Sequence, residues 1–127
     1  MMIIGIGIDL CSITKIANLY SKHQRFSKKI LTQEEFEIFK TIIKPAHQHL
    51  FLAKIWSAKE AFAKATQLGL SKMGFHNLSL LNYENGAPYL KLNLNSELAK
   101  KFENCNSHIS ISHENDYVIA QVLLESC

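Results

Sequence analysis

Two carboxylates set in apolar sequence are the residues of this chain that point to chemistry. Glu60 interrupts the run Ile55-Trp56-Ser57-Ala58-Lys59-Glu60-Ala61-Phe62-Ala63-Lys64-Ala65, and Asp9 ends an apolar N-terminal run broken by Gly5 and Gly7. A carboxylate among small apolar neighbours is costly to keep charged unless a cation meets it. One reading is purely structural. Lys64 follows Glu60 at i,i+4, the favourable order, which contributes about 0.2–0.5 kcal/mol, and Asp9 at a strand end caps the next turn. The other reading is chemical. Two carboxylates in one groove repel unless a proton or a divalent cation is shared. Oxygen-only ligation by one or two carboxylates, completed by water and phosphate, is what Mg²⁺ takes, with Mn²⁺ left open as the alternative ion. Lys64 then neutralises phosphate oxygens, and His113 contacts a further phosphate or moves a proton.

The elements that must position these groups follow from spacing. Residues 55–65 are rich in Ala and straight-chain residues and free of Gly and Pro, so they form a strong helix, expected from about Gln48 to Leu68 and closed by Gly69. Trp56, Glu60 and Lys64 share one ridge of it, while Ile55, Ala58, Ala61, Phe62, Ala63 and Ala65 read as buried. Met2 to Leu10 reads as a buried strand whose glycines permit close backbone approach; Gly5-x-Gly7 lacks the third glycine of a dinucleotide fingerprint. Ser12 caps a helix running to about Lys22, and Thr32-Gln33-Glu34-Glu35 is a capping box for a helix through Ile43 that Pro45 stops. His47 and His49, beside that break, read as surface residues rather than metal ligands.

Beyond Gly74 the period changes. Leu78, Leu80 and Tyr83 alternate with polar positions, Asn85-Gly86 supplies a hairpin turn, and Tyr89, Leu90, Leu92 and Leu94 return. Ser96 caps a short helix through Phe102. His108-Ile109-Ser110-Ile111-Ser112-His113 alternates, placing Ile109 and Ile111 inward, and Tyr117 to Leu124 forms the last strand. The expected fold is α+β, one domain over residues 1–127: an N-terminal strand, three helices, then mostly antiparallel sheet.

A net charge of +3 is too mild to argue for nucleic acid. Its distribution says more: between Leu10 and Gln33 stand Lys15, Lys22, Arg25, Lys28 and Lys29 with no Asp or Glu. Such a patch attracts an acidic protein, a phosphate-rich cofactor or a membrane. Cys11, Cys105 and Cys127 are odd in number and match no ligand or redox spacing, which suits a reducing compartment. The N-terminal run is too short to span a membrane and lacks the marks of a signal peptide, so the expected location is cytoplasmic.

Gly5-Ile6-Gly7-Ile8-Asp9-Leu10, Trp56 to Ala65, and His108 to His113 resemble, in order and spacing, the holo-[acyl-carrier-protein] synthases, the small phosphopantetheinyl transferases. The likeness extends to Arg25-Phe26, Leu31-Thr32 and Asn85-Gly86-Ala87-Pro88-Tyr89, and so covers essentially the whole chain. It implies transfer of the 4'-phosphopantetheine arm from coenzyme A to a serine of apo acyl carrier protein, with release of adenosine 3',5'-bisphosphate. It implies that Asp9 and Glu60 hold Mg²⁺ against the diphosphate and that Lys64 steadies the phosphates. It also implies a homotrimer with the cofactor between protomers, His113 presented across the interface, and Gly86 and Pro88 near the nucleotide. Gly69 and Ser112 fall among the expected cofactor-binding positions. Lys15, Lys22 and Arg25 fall where the family grips its carrier. No nucleic acid and no membrane enter as partners.

Two departures stand out. Many members carry Gly-Thr-Gly after this helix, where the chain reads Gln67-Leu68-Gly69, and many have Arg in place of Ile55, leaving Lys54 or Lys44 to supply that phosphate contact. Glu60 ranks first as the serine's base, Asp9 second and His113 third. The competing readings are a non-catalytic basic module that binds an acidic protein or nucleic acid, and a Mg²⁺-dependent phosphohydrolase that needs no carrier.

Overall fold

The computed structural model describes residues 1–93 and 95–126; the expectations for Leu94 and Cys127 lie outside the described residues. The chain runs β1 (Ile3–Ser12), α1 (Ile13–Lys22), α2 (Arg25–Ile30), α3 (Gln33–Phe39), α4 (Pro45–Thr66), α5 (Leu70–Met73), a 3₁₀ turn (Phe75–Asn77), β2 (Leu78–Asn82), β3 (Pro88–Leu92), α6 (Glu97–Phe102), β4 (Cys105–Glu114) and β5 (Tyr117–Ser126). The strands form two antiparallel sheets, β1-β5-β4 and β2-β3, so the α+β expectation holds. The first and last strands pair, with Asp9 opposite Ala120.

Several expected signals act as read. Ser12 caps α1 by accepting from Lys15 N, and Thr32 and Glu35 form the capping box of α3. Other expectations need correcting. The three helices foreseen ahead of the sheet are joined by α2 and α5, each of six residues or fewer, too short to carry a periodic signal. α3 ends at Phe39 rather than Ile43, so Pro45 does not stop it. Pro45 starts α4 instead, at the first helical position, where its missing N–H costs nothing. The left-handed residue ending α4 is Gln67 (φ 64°), not Gly69, which itself begins α5 at φ 77°.

α4 is the centre of the core. Leu52, Ala53, Ile55, Ala58, Ala61, Phe62, Ala63 and Ala65 are buried along it, against the inner face of the β1-β5-β4 sheet. That face carries Gly7, Val122 and Ile109 in one row, Asp9, Ala120 and Ile111 in the next, then Cys11, Val118 and His113. The expectation that β1 is buried holds for that face alone. Its other face presents Ile4, Ile6, Ile8 and Leu10, exposed at 43, 60, 52 and 65 %, because successive residues of a strand point to opposite sides.

Candidate active site

β1 and α4 approach unusually closely, and the two glycines are the reason. A Cβ at Gly5 would fall on the carbonyl oxygen of Ala65, and one at Gly7 on that of Ala61. With hydrogen in both places and Ala on the helix, the strand lies against the helix backbone. Ser57 Oγ, buried, ties the pair by donating to Asp9 O at 3.1 Å. The close approach brings Asp9, two residues beyond Gly7, alongside the ridge of Glu60 and Lys64.

The three groups share one electrostatic environment. Burial pushes the Asp9 carboxyl above its ordinary range, partly offset by the nearby Ser57 hydroxyl and the charge of Lys64. Burial and then the charge of Asp9 push Glu60 up in turn, with Lys64 acting against both. Lys64 Nζ donates to Ile8 O at 2.8 Å and stands 3.6 Å from Asp9 Oδ1. The purely structural reading, in which Lys64 pairs with its i,i+4 neighbour, is not what forms: the ammonium bonds across to the strand, although its charge still acts on Glu60. Asp9 Oδ2 is buried and has no hydrogen-bond partner.

A buried carboxylate oxygen without a partner, beside a second carboxylate, is the donor set a hard divalent cation uses. Among the described residues there is no cluster of three or more His, Cys, Asp or Glu. The site therefore offers two carboxylates and leaves the remaining positions to water and phosphate, the way Mg²⁺ is commonly held.

His113 is not part of this group. It lies in the row of Cys11, two strands away from β1, or about 10 Å at the usual strand spacing. It lines a separate cleft of about 310 Å³ with Gly86, Pro88, Asn82, His47 and Lys54, and no acidic residue lines it. Gly86 and Pro88 line this cleft together with His113, while Ile55, only 1 % exposed, belongs mainly to the core and Lys54 carries the cleft's charge. Asn82 and His47 line it too, and residue spacing did not single them out. Gly69 is exposed beyond the end of α4 and outside that cleft, and Ser112 points to the opposite face of β4 from Ile111. Lys15, Lys22 and Arg25 are exposed on α1 and α2, where Lys28 and Lys29 extend the basic surface. A wider opening of about 830 Å³, between α2, α3 and the β2-β3 hairpin, contains none of the expected site residues.

Residues 5–122 match the 4'-phosphopantetheinyl transferase superfamily. A holo-[acyl-carrier-protein] synthase of Streptococcus agalactiae serotype III (strain NEM316) is 40 % identical over 124 residues, covering 98 % of each chain. One from Geobacillus sp. (strain WCH70) is 42 % identical over 125 residues, again 98 % of each. A holo-(acyl-carrier-protein) synthase from Bacillus anthracis str. Ames, solved in complex with CoA (3',5'-ADP), superposes with a TM-score of 0.85 at 31 % identity over the full length of both chains.

Proposed function

The chain belongs to the holo-[acyl-carrier-protein] synthases of the 4'-phosphopantetheinyl transferase superfamily, and from that membership we infer the reaction. The protein is a transferase that moves the 4'-phosphopantetheine arm of coenzyme A to a serine hydroxyl of apo acyl carrier protein and releases adenosine 3',5'-bisphosphate. The observation that carries the site assignment is the meeting of Asp9, Glu60 and Lys64 at the β1-α4 seam, with a buried oxygen of Asp9 left unpartnered.

The reaction is a displacement at phosphorus. The serine oxygen forms a bond to the phosphorus that bears the arm, and the bond from that phosphorus to the bridging oxygen breaks. Positioning and charge neutralisation carry most of the rate of such a step. Asp9 and Glu60 would hold Mg²⁺, which supplies positive charge against the diphosphate. Lys64, exposed and reaching over the seam, brings a second positive charge to the phosphate oxygens. Glu60, or a water on the cation that it would orient, is our choice of base for the serine proton.

We assign coenzyme binding to the acid-free cleft of Lys54, His47 and His113, with Gly86 and Pro88 beside it. Among its lining residues that cleft includes none of Asp9, Glu60 and Lys64, and we assign the working enzyme as a homotrimer in which His113 of one protomer serves the seam of its neighbour. The exposed apolar face of β1, continued by Ile119 on β5, supports that assembly. The basic surface of Lys15, Lys22 and Arg25 is assigned to the acidic carrier protein. Among the described residues no helix is long and apolar enough to cross a membrane; free Cys11 and Cys105 fit the cytoplasm.

Incubation with coenzyme A, Mg²⁺ and apo carrier protein, followed by intact-mass measurement, tests the reaction. The carrier gains the phosphopantetheine mass. Carrier binding without added mass would mean a non-catalytic module, and release of adenosine 3',5'-bisphosphate without carrier would mean a phosphohydrolase.

A further inference from the structure

The ammonium of Lys64 occupies an unusual position for a group assigned to phosphate. It is not free above the seam. Its Nζ donates to the backbone oxygen of Ile8 and stands 3.6 Å from Asp9 Oδ1, on the carboxylate assigned to the metal. The charges at the seam are two carboxylates and this one monovalent cation on a flexible four-carbon stem. Asp9 keeps only 14 % of its side chain exposed, so little solvent is available to replace a missing counter-charge.

We propose that Lys64 is a tethered stand-in cation: with the site empty of metal its ammonium neutralises Asp9, and a divalent cation entering the seam displaces it toward the coenzyme's diphosphate. The idea rests on the assignment of Asp9 and Glu60 as metal ligands. It gives Lys64 two successive partners and makes the exchange between them the link between metal and coenzyme. A divalent cation bound alone must compete with the ammonium for Asp9. Coenzyme A draws the ammonium off, leaving Asp9 open to the cation. By reciprocity the cation strengthens coenzyme binding by the same factor. A Lys64 that only touched phosphate, with no first attachment to Asp9, would not produce this additional coupling.

The test is direct binding of Mn²⁺, followed by electron paramagnetic resonance of the free ion, to the wild type and to Lys64→Met, with and without coenzyme A and with no carrier protein present. Lys64 is largely exposed, so the variant folds. For Mn²⁺ alone, Lys64→Met binds about two- to fivefold tighter than the wild type, the size of one exposed ion pair. Coenzyme A strengthens Mn²⁺ binding by a larger factor in the wild type than in the variant. Equal or weaker Mn²⁺ binding by Lys64→Met, or the same strengthening by coenzyme A in both proteins, overturns the exchange while leaving the transferase reading intact. No Mn²⁺ binding by either protein overturns the exchange and the metal assignment together, and the mass measurement on the carrier then decides the transferase reading separately.

Discussion

Lys59 Nζ lies 2.7 Å from Glu35 Oε1, and both side chains are completely buried. The ammonium also donates to Ile30 O and Phe75 O, each at 2.7 Å, so its three protons have three acceptors. Glu35 in turn accepts from Thr32 N through Oε1 and from Leu80 N through Oε2. One residue before Glu60, α4 is thereby fastened to α2, α3, the 3₁₀ turn and β2. Burial lowers the Lys59 pKa, and the charge and hydrogen bond of Glu35 work against that fall.

Removing one member of such a pair leaves the other charge buried and unpaired, which costs about 3–5 kcal/mol. Lys59→Met therefore loses about that much stability in urea unfolding. The loss falls on stability first; activity measured per folded molecule, well below the new unfolding midpoint, reports how far Glu60 has moved.

The seam depends on an absent side chain. Gly7→Ala forces a methyl group onto the carbonyl oxygen of Ala61, which is backbone and cannot swing away. Overpacking of this kind costs about 1–3 kcal/mol, and more where backbone must shift. The expected variant unfolds earlier and responds less to added Mg²⁺, because Asp9 is carried away from Glu60. A thermal midpoint raised by Mg²⁺ as much as in the wild type would show that the separation does not matter.

Raised carboxylate pKa values set a trade between stability and function. Glu60 has a folded-state pKa above its ordinary 4.5, so the folded protein holds that proton more tightly than the unfolded chain does. Its ionisation therefore costs stability as pH rises from the ordinary value through the folded one. In metal-free protein Glu60→Gln is more stable than the wild type at pH 7, and the difference closes as pH falls below about 4.5. The same variant loses stabilisation by divalent cation, which follows from mass action on the folded state. Denaturant titrations at pH 7 and pH 4, with and without Mg²⁺, read both effects.

Asp116 shifts the opposite way. Hydrogen bonds from Ser12 Oγ (2.7 Å), Thr14 Oγ1 (2.6 Å) and Thr14 N (2.9 Å) hold its carboxylate below the ordinary 3.8, at the start of α1. Its contribution is complete above the ordinary pKa and is lost as pH falls through the lower folded value. Asp116→Asn is thus less stable than the wild type at pH 7, and the gap narrows at pH values below about 3.8. A gap unchanged down to the acid transition would remove Asp116 as an anchor of α1.

Charge reversal on the basic surface separates docking from chemistry. Lys22→Glu lies at the end of α1, exposed and away from the seam. KM for the carrier rises, by about tenfold at low salt and less at high salt, with kcat nearly unchanged. An unchanged KM would place the carrier elsewhere.

The sequence alone determined the helix around Glu60, the caps at Ser12 and Thr32, the hairpin at Asn85-Gly86 and the inward Ile109 and Ile111. Each of these is written in local spacing or in one residue's backbone preference. The two isolated carboxylates were also legible, because a charge inside apolar sequence needs a reason. Short helices α2 and α5 were not, since six residues or fewer hold little periodicity, and the end of α3 was hidden because Ile42 and Ile43 continue its apolar spacing past Phe39.

Which groups meet was set by long-range packing. Lys64 is four residues from Glu60 along the chain yet reaches Ile8 and Asp9, and Lys59 finds Glu35 across 24 positions. It also decided which face of β1 is covered: alternation marks two faces, but not that α4 takes Gly7 and Asp9 and leaves Ile6 and Ile8 outside. The physical reason is the same in each case. Local conformation is set by neighbours within a few residues, whereas ion pairing and burial depend on distances through space, which are fixed once β1 lies on the backbone of α4.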